Sequence, residues 1–333
     1  MNTPADLSPL LEAFFVQRLI AQRRVSTHTI NSYRDTFRLL LKFAERRLGC
    51  PPHKLTLENL PAPFLAEFLD HLEATRANGP RTRNLRLAAI RSFFRYAALE
   101  APQHAGLIQR VLAIPRKRYS RPLIDFLTRP EIEALLEVVN RNTWIGRRDY
   151  AFLLTAIQTG LRLSEMTSLR QQDVSLGAGA HVRCEGKGRK ERRTPLAKPT
   201  AAVLDAWIKY QGKDDASRFL FPSTRGGPLS ADAVQHLVAK YAKAAQKICP
   251  SLTKKNVSPH VLRHAAAMEL LQAGVDRSMI SIWLGHESIE TTQIYLDANL
   301  AIKNEILAKT HPVKRALHRY RPGDRLLNFL SSL

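Results

Sequence analysis

The segment Ser258-Pro259-His260-Val261-Leu262-Arg263-His264 places two imidazoles and a guanidinium close together. Ser258 and Pro259 read as the cap and opening turn of a helix, so His260, Arg263 and His264 project from one face. Imidazoles four residues apart also match a zinc spacing. Val261, however, stands where a zinc protease carries its glutamate, and Arg263 sets a positive charge beside the site, so no metal is expected. A capped helix start carrying Arg and His suits an oxyanion such as phosphate.

A second arginine lies in Thr159-Gly160-Leu161-Arg162-Leu163-Ser164-Glu165. Read alone, this turn is accounted for by an ion pair between Arg162 and Glu165. Holding a phosphodiester from two sides needs two arginines, and Arg162 is available to complement Arg263. Lys187, between Gly186 and Gly188, is either a solvated loop charge or a flexible donor to a leaving-group oxygen. His286, after Leu284-Gly285, could simply satisfy a helix end. Tyr295, flanked by Ile294 and Leu296, would by default be a buried tyrosine.

The elements that must position these groups are mostly helical. Leu11, Phe15 and Leu19 follow Ser8-Pro9 at helical spacing; Ile30, Tyr33, Phe37, Leu40, Leu41 and Ala44 mark a second helix. Phe64, Leu65, Phe68, Leu69 and Leu72 mark a third, and Leu87, Ile90, Phe93, Phe94 and Ala97 a fourth, after the turn Asn78-Gly79-Pro80. These predict a four-helix bundle over residues 1–114, with the aromatics as core packing. Arg34, Arg38 and Lys42 form a basic row on the second helix. Arg81, Arg83 and Arg86 crowd the start of the fourth, with Arg91 and Arg95 beyond. One such row is an ordinary solvated face; two suggest phosphate contacts in a DNA groove.

The prolines and cations of residues 115–125 read as an extended basic linker. Thr128 and Glu131 then form a capping box that opens a second, mixed domain over 126–311. It is mostly helical: 149–158 ending at Gly160, 199–210, 230–248 capped by Ser230, 258–273, 276–284 and 288–298, with Gly274 and Gly285 as helix stops. Residues 181–196 predict a β-hairpin with Gly186-Lys187-Gly188 at its tip. A tail, 312–333, remains.

The chain has 333 residues, and 51 Lys plus Arg against 29 Asp plus Glu give a net charge of +22. That length suggests two domains, and that charge a polyanionic partner, nucleic acid first. An anionic membrane surface would need a basic amphipathic segment and an apolar anchor. No apolar run approaches the roughly 18 residues of a membrane span, and MNTPADLSPL does not read as a secretory signal. Cys50, Cys184 and Cys249 fit free thiols in a reducing compartment better than disulfides or a zinc site. Gly188 stands where a phosphate loop needs Ser or Thr, so no nucleotide cofactor is expected.

Taken in order, Thr-Gly-Leu-Arg-x-Ser-Glu, the Gly-Lys-Gly hairpin, Pro-His-x-Leu-Arg-His, Leu-Gly-His and the tyrosine nine residues later resemble the tyrosine recombinases, or phage integrase family, with a bacterial Xer-like layout. The resemblance spans about residues 8–312. It is most specific from Ser258 to Tyr295 and looser in Thr29-Ile30-Asn31-Ser32-Tyr33 and Leu87 through Phe94. It implies a helical SAM-like core-binding domain followed by an α+β catalytic domain with a small antiparallel sheet.

It also implies roles. Tyr295 would attack a scissile phosphate to form a 3′-phosphotyrosyl link, and Lys187 would protonate the departing 5′ oxygen. Arg162, Arg263 and His286 would stabilise the pentavalent phosphate, with His260 assisting proton transfer at Tyr295. No metal or other cofactor is implied. Ala265, where threonine is usual, and Asp297 depart from the pattern without replacing a catalytic group. The implied partners are double-stranded DNA at a specific site and a tetramer on it, of identical chains or with a related recombinase, in a bacterial cytoplasm at the nucleoid. The tail would dock on its own domain or on a neighbouring protomer. A type IB topoisomerase shares the chemistry but relaxes a single duplex, and a non-catalytic DNA-binding protein is the third reading.

Overall fold

The apolar spacings of the first third of the chain become helices in a computed structural model, which describes residues 6–120, 125–186, 191–212 and 218–285 together with Tyr295. The chain divides into two compact units, Met1–Arg121 and Pro122–Leu333.

In the first unit, α1 (Leu7–Ala13) runs into a π-helical stretch, Phe14–Gln22, followed by α2 (Thr27–Leu48), α3 (Ala62–Arg76), α4 (Pro80–Glu100) and α5 (Ala105–Leu112). The aromatics do pack the core: the Phe14 ring lies within 5.6–6.4 Å of those of Phe15, Tyr33, Phe37, Phe93 and Tyr96. Each large apolar side chain buried there contributes roughly 1.5–3 kcal/mol. Two boundaries differ from expectation. The first helix begins at Leu7 behind Asp6, two residues earlier than a Ser8 cap would allow. A fifth helix, α5, closes the unit; it has only eight residues, includes Gly106 and buries Ile108 and Val111, too little pattern to be legible.

The basic stretch after α5 has no regular structure over Pro115–Ser120, yet its beginning is fastened. The Lys117 amide donates to Asn84 Oδ1 at 3.1 Å, and Asn84 Nδ2 donates to the Lys117 carbonyl at 2.8 Å. Lys117 Nζ meets Glu73 at 2.5 Å, and the Arg91 guanidinium bonds the Ile114 carbonyl. The segment is thus tied to α4 through Lys117 rather than extended from residue 115.

In the second unit, α6 (Arg129–Glu137) opens with the expected capping box, Glu131 accepting from the Thr128 amide at 2.8 Å. Next come α7 (Trp144–Thr159) and the short α8 (Leu163–Ser168). Three antiparallel strands follow, β1 (Val174–Ser175), β2 (His181–Glu185) and β3 (Glu191–Pro195), with Val182 opposite Thr194. The hairpin was expected; β1, two residues long, was not. Helices α9 (Lys198–Gln211), α10 (Ala231–Ala245), α11 (Pro259–Gln272) and α12 (Arg277–Leu284) complete the described fold. Ser258 sits at the cap position of α11 but makes no side-chain capping bond, unlike Ser230 on α10.

Helix α7 is the spine of this unit, with Phe152 edge-on to Phe221 and its apolar face buried. Its one buried carboxylate, Asp149, is bonded by Arg148 Nε and Nη2 at 2.9 and 2.7 Å and by the Tyr241 hydroxyl at 2.9 Å. Among the described residues no helix is long and apolar enough to cross a membrane.

Candidate active site

Helix α7 ends at Gly160, whose φ of +62° favours glycine. A Cβ there would lie 2.6 Å from Leu284 Cδ2 and 3.1 Å from Ala266 Cβ, so the bare backbone lets the end of α7 meet α11 and α12. Trp283 Nε1 adds a bond to the Thr159 carbonyl at 3.1 Å.

Arg263, on the first turns of α11 and 4% exposed, spans this junction. Its Nη1 donates to the Gly160 carbonyl at 2.5 Å and its Nη2 to the Leu284 carbonyl at 2.8 Å. Burial, then the charge of Arg162, lowers its pKa to about 10, which leaves it a cation at neutral pH.

Arg162 enters from the start of α8. The ion pair expected with Glu165 exists, at 3.0 Å, and the Arg162 amide also donates to Glu165 at 2.7 Å. The guanidinium does more than pin the turn, because its Nη2 reaches the Gly285 carbonyl at 2.6 Å. Glu165 also accepts both terminal nitrogens of Arg192 from β3, at 3.0 and 2.8 Å. Burial alone would raise the Glu165 pKa, but the bonds from Arg192 and from the Arg162 amide outweigh it and hold the carboxylate below its ordinary range. Arg192 lies directly on Gly285, where a Cβ would come within 2.3 Å of its Nη1.

Two guanidinium groups therefore share one carboxylate, and a third, on Arg263, interacts with the same charges. Beside them opens a cavity of about 540 Å³ lined by Arg162, Arg263, His260 and Ser258, among others. The surplus positive charge and the remaining N–H groups suit a tetrahedral or pentavalent phosphate.

Tyr295 is helical and 2% exposed, packed among Ala267, Met268, Leu271, Ile280 and Leu284 of α11 and α12. Its hydroxyl lies 3.1 Å from Nδ1 of His264. Burial raises the phenol's pKa, while Arg263 and Arg162 pull the other way. His260 is exposed, and its ring stands edge-on to that of His264 with centroids 4.5 Å apart. The imidazole bonded to the phenol is thus His264, whereas the family resemblance implied that His260 assists there. Lys187 and His286 lie outside the described residues.

Sequence reasoning also passed over Arg192, one cation in a run that includes Arg189, Lys190 and Arg193. Strand alternation was the available signal: Arg192 shares the inward side of β3 with buried Thr194.

The proposed DNA contacts divide. Arg34, Arg38, Lys42 and Arg81 are exposed. Arg83 is 5% exposed, 3.5 Å from Glu73 and 3.7 Å from Asp70, so its charge is engaged within the unit. Arg86 donates to the Ser32 carbonyl at 3.2 Å and Thr36 Oγ1 at 3.0 Å, tying α4 to α2. Both are corrections, and both arise because the first turns of α4 pack against α2 and α3. Arg116 and Arg118 are exposed instead, lining a surface groove with Arg81.

Two arginines on one turn and a buried tyrosine whose acidity both influence are the groups that a DNA strand transferase working through a tyrosine requires. Family comparison agrees: residues 125–301 match the phage integrase family and residues 13–101 the phage integrase N-terminal SAM-like domain. The chain belongs to the phage integrase family, the tyrosine recombinases. It is 58% identical to y4rC of Sinorhizobium fredii, a protein provisionally named as an integrase/recombinase, over the full length of both. It is 31% identical to tyrosine recombinase XerD of Pseudomonas putida, covering 93% of this chain and 99% of that one. Among solved structures, XerH in a post-cleavage complex with palindromic difH aligns at a TM-score of 0.67 and 19% identity, over 92% of this chain and 90% of the other. At that identity the likeness concerns the fold.

Proposed function

We propose that this chain is a site-specific DNA recombinase that breaks and rejoins duplex DNA through a phosphotyrosyl link on Tyr295. The observation that carries this reading is the convergence of Arg162 and Arg263 on the Leu284–Gly285 turn, beside a tyrosine whose acidity both arginines influence. Arg162 and Arg263 hold the scissile phosphate and stabilise its added negative charge, with His286 completing the cradle. Tyr295 attacks phosphorus, and Lys187 protonates the 5′ oxygen that leaves. The phosphotyrosyl ester retains the energy of the broken bond, so a 5′ hydroxyl from a second duplex can reverse the step. The protein's residues supply both the charge and the protons.

Residues 1–114 would grip the duplex through Arg34, Arg38, Lys42 and Arg81, residues 126–311 would carry the chemistry, and 115–125 would join them. The working form is a tetramer on two DNA sites, in the cytoplasm. The experiment is adduct capture in bacterial cells: denaturing purification of the wild-type chain should recover covalently attached DNA, and Tyr295→Phe should recover none. Equal recovery from both removes Tyr295 as nucleophile. Sequencing the captured ends identifies the site, and strand exchange between two such sites separates recombination from relaxation of a single duplex.

A further inference from the structure

Within the recombinase reading just given, on which it rests, we infer that His264 accepts the Tyr295 proton and that His260 relays it to solvent. The phenol is buried, so its proton needs an acceptor inside the protein before the oxygen can attack. His264 Nδ1, at 3.1 Å, is at hydrogen-bonding distance from that oxygen. Behind it the His260 ring stands 4.5 Å away, centroid to centroid. Exposure rises along the same line: Tyr295 is buried, His264 half-buried and His260 exposed. The two histidines lie one turn apart on α11, so a single helix provides both stations.

The charges around the phenol favour the transfer in both directions. Arg263 and Arg162 act on the phenol electrostatically, and Glu165 and Arg192 in turn act on Arg263. The arginines stabilise the phenolate, and they also oppose a lasting second cation on His264, so the proton moves on. In the forward step the Tyr295 O–H bond breaks and an N–H bond forms at Nδ1, in the tautomer that carries its own proton on Nε2. The phenolate oxygen bonds to phosphorus, the bond from phosphorus to the 5′ oxygen breaks, and that oxygen leaves with a proton from Lys187. The His264 imidazolium then passes its Nε2 proton to His260 and on to water. In rejoining, a 5′ hydroxyl attacks and gives its proton to Lys187; the released phenolate takes the Nδ1 proton of His264 as Nε2 is reprotonated from water through His260.

The test uses the full-length chain and a nicked duplex built from the DNA ends captured above. His264→Asn keeps an acceptor near the Nδ1 position but cannot take a proton. Its single-turnover adduct rate should fall about 10²- to 10³-fold, the usual scale of general-base catalysis, with duplex affinity unchanged. The rising acid limb of the wild-type pH–rate profile should flatten. Imidazole in solution should restore part of the rate to His264→Ala, and His260→Asn should show a smaller loss. A His264→Asn rate within threefold of wild type with an unaltered pH profile overturns the inference. So does a loss that follows a drop in melting temperature and is not rescued by imidazole, since that is a packing role. Adduct formation by Tyr295→Phe would instead overturn the underlying reading, so the two failures are distinguishable.

Discussion

Glu165 receives both terminal nitrogens of Arg192, at 3.0 and 2.8 Å, while the guanidinium of Arg162 bonds the same carboxylate at 3.0 Å. One buried negative charge thereby holds two cations on either side of the Gly285 backbone. Replacing Glu165 with Gln leaves both arginines without a counter-charge, at a cost of about 3 kcal/mol. Urea unfolding of Glu165→Gln should show that loss, and adduct formation should fall with it as Arg162 loses its anchor.

The same carboxylate fixes a pH dependence. Its native pKa lies below its ordinary value of 4.5, so its stabilising contribution is present above that value and is lost as pH falls through the native one. The stability gap between wild type and Glu165→Gln should therefore be full at neutral pH and smaller at an acid pH below the native value. Chemical denaturation at both pH values measures it; a constant gap would mean that Glu165 does not titrate with folding.

Gly160→Ala introduces a Cβ into a residue at φ +62° and brings it within 2.6 Å of Leu284. Left-handed strain costs about 1–2 kcal/mol, and the collision at Leu284 adds to it. Because the Gly160 carbonyl anchors Arg263, adduct formation should drop more than the melting temperature implies. Comparing the two measurements separates loss of fold from loss of the arginine's position.

Arg83 and Arg38 should give opposite signatures. Arg38→Ala removes an exposed charge and should leave stability within about 0.5 kcal/mol. If Arg38 meets one phosphate, the slope of log affinity against log salt should shrink by about 0.9. Arg83→Ala should destabilise the first unit by removing a buried side chain paired with Glu73 and Asp70, with little change in that slope. Salt titrations of duplex binding, alongside denaturation, check both.

Asn84→Ala removes the reciprocal bonds that hold Lys117 to α4. Trypsin should then cut after Arg116, Lys117 or Arg118 several-fold faster than in the wild type, while the melting temperature of the first unit changes little. Equal cleavage rates would mean that Glu73 and the Arg91 bond suffice to fasten the segment.

Much of the helical framework was legible because its signals are local. The Thr128–Glu131 capping box, the Gly160 and Gly285 stops and the Ser230 cap depend on residues within a turn of one another. Helix α5 and strand β1 were not, since eight residues and two residues carry too little periodicity. Arg83 and Arg86 were read as surface cations because a basic helix start looks the same in sequence whether it faces solvent or the carboxylates of a neighbouring helix.

The sequence by itself determined which groups exist and in what order: two arginines, a tyrosine, two histidines on one face of α11 and a large positive charge. Spacing along a helix sets a face and cannot choose between residues on it. His260 and His264 are equivalent in that respect, and the choice of phenol partner follows only from where Tyr295 packs against α11 and α12. The pairing of Arg192 with Glu165 is likewise tertiary, joining residues of β3 and α8 that no local period connects. Short-range periodicity wrote the inventory; long-range packing decided which of its charges meet.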